Sequence, residues 1–189
     1  MSEAKSMSLY IGDISSIFDE LLRVLEKVDT VDIRPYVRKL LDVVFSILHD
    51  RDKLRELALK LHDYSTMLLA ECEYVDDRGR YVRYRVCDLL HILHQFVIGL
   101  TRDGVEDLDL EKELPSAAKA VLRGEFSSMS YLVFRCARKL LSLSRQDLES
   151  ILDAVKSIEV RGEDPSSVFL RNCLDALSAL IDVLREVKK

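Results

Sequence analysis

The sequence predicts an all-α protein, and three observations support that prediction. Apolar residues make up 48% and charged residues 32% of the 189 residues, a balance typical of a folded domain. Only 6 glycines and 3 prolines are available to interrupt regular structure. Apolar residues recur every three or four positions along most of the chain, which is the period of an amphipathic helix. We therefore expect one helical domain over residues 1–189, a bundle of about seven or eight helices.

Three apolar stripes predict the first three helices. The first covers residues 14–28, with Asp13 as its N-cap. The second begins near Pro35, because proline is tolerated in the first turn of a helix. The third stripe comprises Leu54, Leu57, Leu61, Tyr64 and Leu68. Each stripe predicts a helix with one face in a common core.

Four helices are predicted after residue 100. One follows Pro115 over residues 116–123, beyond an acidic connector at 102–113, and the next covers 128–142. Ser144 opens SRQD, which resembles a capping box, and Asp164-Pro165 is a strong helix start. The last helix has a heptad seam of Leu170, Leu174, Leu177, Ile181 and Leu184. Three heptads are too few for a free coiled coil, so this seam is expected in a bundle or against a partner.

The middle of the chain is harder to interpret. Residues 73–86, EYVDDRGRYVRYRV, combine a DDRG turn signal with β-branched and aromatic residues, so they predict either a short β-hairpin or a loop between helices. A helix resumes near residues 86–100. Apolar residues occur on both of its sides, which predicts a central, buried helix.

The segment RGRYVRYR, residues 78–85, is strongly basic in a chain of net charge −5. An extended ribbon there would alternate a packed face with an Arg/Tyr face suited to phosphate contacts and base stacking. The leading hypothesis is a non-catalytic accessory subunit or adaptor that contacts RNA or DNA through this segment. Its predicted binding residues are Arg78, Arg80, Tyr81, Arg83, Tyr84 and Arg85.

The same arginines could instead pair with local acids, and the acidic connector at 102–113 could fold against them too. Glu71, Glu73, Asp76 and Asp77 are their neighbours in sequence. Two further basic clusters occur, at residues 34–39 and 135–139. Whether the three clusters converge cannot be read from the sequence, and the net negative charge argues against a purely electrostatic nucleic-acid binder.

A helical protein-interaction or homo-oligomerisation module is the alternative function. The heptad seam in helix 165–187 and the first apolar stripe motivate it. Self-association through helix 165–187 is the corresponding partner prediction. No cofactor is expected. No membrane contact is expected either, because the most apolar window, residues 89–100, is too short and too polar to span a bilayer.

Metal binding and thiol chemistry are weakly indicated. Cys87, His91 and His94 lie within one arc of a helix, but three ligands at this spacing cannot all reach one ion, and no metal site is predicted. The four cysteines lack a CxxC pair, and Cys72 with Cys87 would be the pair for any disulfide.

Composition and the N-terminus suggest the source and location of the protein. Scarce Asn and Gln suggest a thermophilic source. The N-terminus lacks a secretory signal, which favours the cytoplasm.

Two short patterns resemble helical enzyme families. Arg55 to His62, and also Arg85 to His91, resemble the Arg-to-His motif of the HEPN ribonucleases. That resemblance implies that Arg55 stabilises phosphate charge and that His62 acts as an acid or base. The dipeptides His49-Asp50 and His62-Asp63 resemble the HD phosphohydrolases, but that family's earlier histidine is missing. An enzyme is therefore the minority interpretation, with a HEPN-like ribonuclease third among the functions.

Overall fold

The computed structural model describes residues 14–188, and over this range the chain forms eight α-helices and no strand. The all-α prediction is confirmed. The predictions for the N-terminus and for Asp13 fall on residues 1–13, outside the described range. The helices are α1 (Ile14–Lys27), α2 (Arg34–Ser46), α3 (Arg51–Glu71), α4 (Asp77–Gly99), α5 (Leu110–Leu122), α6 (Ser127–Ser142), α7 (Arg145–Lys156) and α8 (Pro165–Val187).

Two long helices, α4 and α8, organise the bundle. Helix α4 packs against α1, α3, α6 and α8, and α8 packs against every helix from α4 to α7 and against α2. Leu90, Leu93 and Phe96 of α4 are fully buried, so the prediction of a central helix at 86–100 is confirmed. The heptad seam of α8 is also buried in this core, so it packs within the chain. None of the helices in the described range has the length and apolarity that crossing a bilayer requires.

Residues 73–86 form neither the β-hairpin nor the loop between helices that the sequence left open. A short 3₁₀ turn, Cys72–Tyr74, is followed directly by α4 from Asp77. The DDRG signal is a helix start, because the Asp76 carboxylate accepts a hydrogen bond from the Gly79 backbone N–H at 2.7 Å. Val82 and Val86 are buried four residues apart, in phase with Leu89 and Leu93. Helix α4 therefore begins at Asp77 instead of residue 86, about two and a half turns further back than we expected.

The later helix starts are mostly as predicted. Ser144 and Asp147 form a capping box at α7, and Asp164 caps α8 through the Ser167 N–H at 3.2 Å. Helix α5 differs, because it begins at Leu110 instead of residue 116. Asp109 caps it, and Pro115 lies inside its second turn. A proline this near a helix start removes one hydrogen bond, which the buried contacts of Leu114 and Ala118 outweigh.

Candidate functional site

The Arg/Tyr segment lies in the first turns of α4, where α4 meets the carboxyl ends of α1 and α3. Arg78 donates to the Asp29 carboxylate at 2.8 Å and to the carbonyls of Glu26 and Leu25 at 3.2 Å each. Arg85 donates to the Asp29 carbonyl at 3.0 Å. These two side chains satisfy backbone carbonyls at and just beyond the end of α1, where a cation is also favoured by the helix dipole.

Arg80 and Arg83 hold the α3–α4 junction. Arg83 is only 12% exposed in its side chain, and its Nε donates to Glu71 at 2.9 Å while Nη1 lies 3.5 Å from Glu26. Arg80 pairs with Asp77 and donates to the Val75 carbonyl at 3.3 Å. All four arginines therefore make contacts inside the protein. Arg80 and Arg83 pair with local acids, as the alternative from the sequence had it, whereas the partners of Arg78 are at residues 25–29. Their binding to nucleic acid stays a prediction.

The tyrosines of this region are exposed. Tyr81 and Tyr84 are 53% and 49% exposed, and Tyr74 in the preceding turn is 86% exposed. The helical period places Tyr84 on the same side of α4 as Arg80, whereas the extended ribbon would have put Tyr81 with Arg83 and Arg85. Tyr81 and Tyr84 are thus about half open to solvent, while the guanidinium groups beside them are engaged.

The other basic clusters also have partners in the described range. Arg135 donates to Glu106 at 2.6 Å, and Arg138 donates to the Leu100 carbonyl at 3.2 Å. The Arg135–Glu106 pair holds the acidic connector against α6, so that connector does not cover the Arg/Tyr segment. In the first cluster, Arg34 binds Asp32 and Asp182.

One cleft brings two of the three basic clusters together. It has a volume of about 390 Å³ and lies between the α1–α2 connection, α4, α7 and α8. Arg34, Arg85 and Lys156 line it beside Asp32, Asp175 and Asp182. The charges of the two signs balance, so the cleft does not select an anion such as phosphate.

Three of the four histidines lie on one side of the α3–α4 pair. The rings of His62 and His94 are 5.7 Å apart between centroids, and the ring of His91 is 6.3 Å from that of Phe169. Burial lowers the pKa of His91 and of His94, and the neighbouring histidines lower the pKa of His94 further. Among residues 14–188 no group of three or more His, Cys, Asp or Glu side chains is arranged to hold a metal ion.

The two Arg-to-His pairs behave differently. Arg55 and His62 lie on one exposed face of α3, since seven residues return to almost the same side of a helix. Arg55 pairs with Asp52 at 3.2 Å. Arg85 and His91 point about 120° apart on α4. The HEPN-like activity stays a prediction, which RNA cleavage by the wild type and by His62→Ala would test.

All four cysteines are buried and free, so Cys72 and Cys87 are not joined in this structure. The thiols of Cys72 and Cys87 lie against backbone carbonyls of α3: the Cys72 Sγ is 3.3 Å from the Leu68 carbonyl oxygen, and the Cys87 Sγ is 3.5 Å from that of Ser65. Burial raises the pKa of the Cys87 thiol to about 11 and that of Cys136 to about 12. Thiols of this kind are structural, because a reactive cysteine needs a low pKa and access.

Asp88 is a buried carboxyl on α4 whose charge depends on pH. Burial raises its pKa to about 6, although the Asn172 amide donates to it at 2.8 Å. Asp88 therefore binds a proton in the folded state at a pH where the unfolded chain has released it. Its contribution to stability is present at low pH and is lost as pH rises from about 4 through about 6.

We expect Asp88→Asn to remove this pH dependence. The variant and the wild type should be about equally stable at pH 4, and the variant should be more stable at pH 7 by about 1–2 kcal/mol. Urea unfolding of both proteins between pH 4 and pH 8 gives the free energy of unfolding of each. At each pH, the wild-type value is subtracted from that of the variant, which removes the contribution of all other titrating groups because both proteins share them. A difference that is constant over this range would contradict the assignment.

Helix α3 carries apolar side chains on its solvent side as well as in the core. The five residues of the predicted stripe are buried as expected. Leu59 is nevertheless 58% exposed, and Leu69 and Met67 are 46% and 45% exposed. We define the outer α3 face by its exposed residues Leu59, His62, Thr66, Met67, Leu69 and Ala70. Asp63 is the one charged residue among the exposed residues at 61–70.

The sequence did hold a signal for this face, which we missed. Leu59, Met67 and Leu69 do not belong to the stripe that predicted α3, and an apolar residue outside the stripe of a surface helix points to solvent. Exposed large apolar side chains gathered on one helix favour an interaction surface, and Asp63 is exposed among them.

The bundle defines the class of this protein, over the described residues, as an all-α domain. No family model, no curated protein and no solved structure matches the chain. The resemblances to the HEPN and HD families therefore rest on the residues quoted for them.

Proposed function

We propose that this protein is a helical interaction module that binds a protein partner through the outer α3 face. One observation carries the proposal: over three turns the solvent side of α3 exposes the large apolar side chains Leu59, Met67 and Leu69, and only Lys60 and Asp63 are charged among its exposed residues there. The solvent sides of surface helices are ordinarily rich in charge. Burying this face against a partner would remove apolar area from water, which favours association.

Site-specific photo-crosslinking tests this proposal. In one variant of the full chain, a photoreactive phenylalanine analogue replaces Thr66. A matched control variant carries the same analogue in place of Leu122. Both variants are produced in cells of the organism from which the protein comes. Leu122 is 44% exposed and lies at the end of α5. We expect a protein crosslink at Thr66 and none at Leu122. Absence of any crosslinked product at Thr66 would overturn the proposed function.

Nucleic-acid binding through the Arg/Tyr segment is the second candidate function. The observation that favours it is the exposure of Tyr74, Tyr81 and Tyr84, which could stack on bases. The internal contacts of all four arginines weigh against it, because a phosphate would have to displace carboxylates and carbonyls.

Two measurements distinguish a structural role of these arginines from a binding role: unfolding of one variant and a salt titration of nucleic-acid binding. For the structural role, we expect Arg83→Ala to lower the free energy of unfolding by about 1–3 kcal/mol, because Glu71 and the Gly79 carbonyl lose a charged donor. Binding to short RNA and DNA is measured with the wild type and with Arg78→Ala, which changes a more exposed arginine. Salt-dependent binding that Arg78→Ala weakens would instead support the nucleic-acid function.

A further inference from the structure

We propose that a pocket between the end of α4 and α6 binds the phosphate group of a small molecule. The pocket has a volume of about 180 Å³. It is lined by Gly99 of α4, by residues 102–106 of the α4–α5 connection, and by Arg135 and Arg138 of α6. It shares no residue with the outer α3 face, so this inference goes beyond the proposed function.

The lining of the pocket is positively charged, although the chain as a whole has a net charge of −5. Its three cations are Arg102, Arg135 and Arg138. Only two acids, Asp103 and Glu106, line it with them. Asp103 is also paired with Arg51 at the start of α3, so four guanidinium groups share two carboxylates. A surplus of cations around a concave site attracts an anion.

Two of these arginines keep hydrogen-bond donors that no residue in 14–188 accepts. Arg138 donates from Nε to the Leu100 carbonyl at 3.2 Å, and its two Nη atoms make no hydrogen bond to the described residues. The Arg102 side chain makes no hydrogen bond within that range, although its Nη1 lies 3.7 Å from the Glu106 carboxylate. A guanidinium group presents such donors in a planar fork that fits the oxygens of a phosphate.

The backbone of the α4–α5 connection adds further donors. Residues 103–106 all line the pocket, and their four N–H groups make no hydrogen bond within the described part of the chain. Gly104 has a φ of 76°, a left-handed conformation that glycine adopts at little cost. Successive N–H groups in a turn are a common means of binding an anion.

Glu106 is the group that opposes an anion most directly. Arg135 donates to its carboxylate from Nε at 3.1 Å and from Nη2 at 2.6 Å, and these hydrogen bonds lower the pKa of Glu106. The carboxylate is therefore charged at neutral pH. An anion binds beside it, on the donors of Arg102 and Arg138, and we expect Glu106→Gln to strengthen binding because it removes the repulsion.

The size of the pocket and the aromatic residue beside it indicate the class of ligand. Pockets that bury most of a drug-sized molecule have about 300–1,000 Å³, so this one encloses a phosphate group and leaves the rest of the ligand outside. Tyr131 of α6 is 58% exposed, and the Arg135 guanidinium lies 5.6 Å from the centre of its ring. A nucleotide would pack its base against this ring, whereas free phosphate would use the pocket alone.

Titration of inorganic phosphate into the isotope-labelled full chain, at constant ionic strength, tests the inference through the amide chemical shifts. We expect saturable shifts at residues 99–106, with a dissociation constant on the order of 0.1–1 mM. Arg138→Gln and Arg102→Gln should each raise that constant by at least about tenfold, because a charged donor is lost. Glu106→Gln should lower it by about threefold or more.

Two controls separate phosphate binding from folding and from general charge. Arg102→Gln removes a side chain that makes no hydrogen bond to the described residues, so its effect does not depend on the structural bond of Arg138. Arg145→Gln removes an exposed arginine of α7 that pairs with Glu149, and it should leave the dissociation constant unchanged.

Three results would overturn the inference. The first is the absence of saturable shifts up to about 10 mM phosphate, well above the expected dissociation constant. The second is binding that persists in both Arg102→Gln and Arg138→Gln. The third is binding that Arg145→Gln weakens as much as they do.

A titration with adenosine monophosphate then distinguishes the two sources of phosphate. Binding tighter than that of inorganic phosphate, with the gain lost in Tyr131→Ala, supports the pocket and identifies a nucleotide. Equal binding of the two probes supports the pocket and identifies a phosphate without an aromatic group. None of these results bears on the Thr66 crosslink, so the proposed function is tested separately.

Discussion

Replacing Gly99 with alanine should lower the free energy of unfolding by about 3 kcal/mol. Gly99 is the last residue of α4, where that helix contacts the backbone of α6. A Cβ atom there would lie 2.4 Å from the Phe134 carbonyl oxygen and 2.7 Å from the Cβ of Ala137. Such distances require the two helices to separate.

The helices cannot separate cheaply at this point. Arg138 of α6 donates to the Leu100 carbonyl, and the Arg102 guanidinium lies 4.9 Å from the centre of the Phe134 ring. At an unobstructed helical position the same substitution would instead stabilise the protein by up to about 1 kcal/mol. The sign of the measured change therefore reports directly on the close approach of α4 and α6.

Chemical denaturation of Gly99→Ala and of Gly104→Ala gives the comparison. Gly104 has a φ of 76° and no atom within 4 Å of an added Cβ, so its alanine variant should lose only about 1 kcal/mol, from backbone strain. Gly99→Ala that is as stable as the wild type would contradict the packing of α4 against α6.

Replacing Asp182 with alanine should cost about 3 kcal/mol. The Asp182 side chain is 8% exposed on α8 and binds two arginines, Arg34 at 2.9 Å and Arg185 at 2.5 Å. Its removal leaves Arg185, whose buried Nε already lacks a partner, without a counter-charge. The bond to Arg34 also joins α2 to α8, so the start of α2 should become less stable.

A double substitution separates the charge effect from packing. Asp182→Leu with Arg185→Leu removes both charges together and should recover at least half of the stability that Asp182→Ala loses, because no unpaired charge remains. Thermal unfolding of the three proteins measures this. A double variant that is less stable than Asp182→Ala would mean that the ion pair is stabilising in its own right.

Helix starts were predictable where a cap is local. Ser144 with Asp147, and Asp164 with Pro165, satisfy the first backbone N–H groups from within four residues, so the sequence alone contains the interaction. Asp76 uses the same chemistry. It was misjudged because DDRG is also a turn signal, and because valine and tyrosine favour strands when packing does not decide. The burial of Val82 and Val86 decided for the helix.

The Arg/Tyr segment illustrates the limit of residue counting. Its four arginines are unusual in composition, and composition favoured a phosphate-binding role. Their partners Asp29 and Glu26 are about 50 residues away in sequence. Two further contacts are to backbone carbonyls of α1 and one is to the carbonyl of Asp29 just beyond it, and no sequence pattern marks these carbonyls. The pairing became visible only when α1 and α4 were packed together.

The sequence by itself determined the helical class, the two-sided burial of α4 and most helix starts, because periodicity and capping act within a few residues. Only the tertiary structure decided which charges are paired and which apolar residues stay exposed. Leu59 and Leu61 are two positions apart and chemically identical, yet Leu61 is fully buried and Leu59 is 58% exposed. The difference is the position of the other helices around α3, which is set by packing over the whole chain.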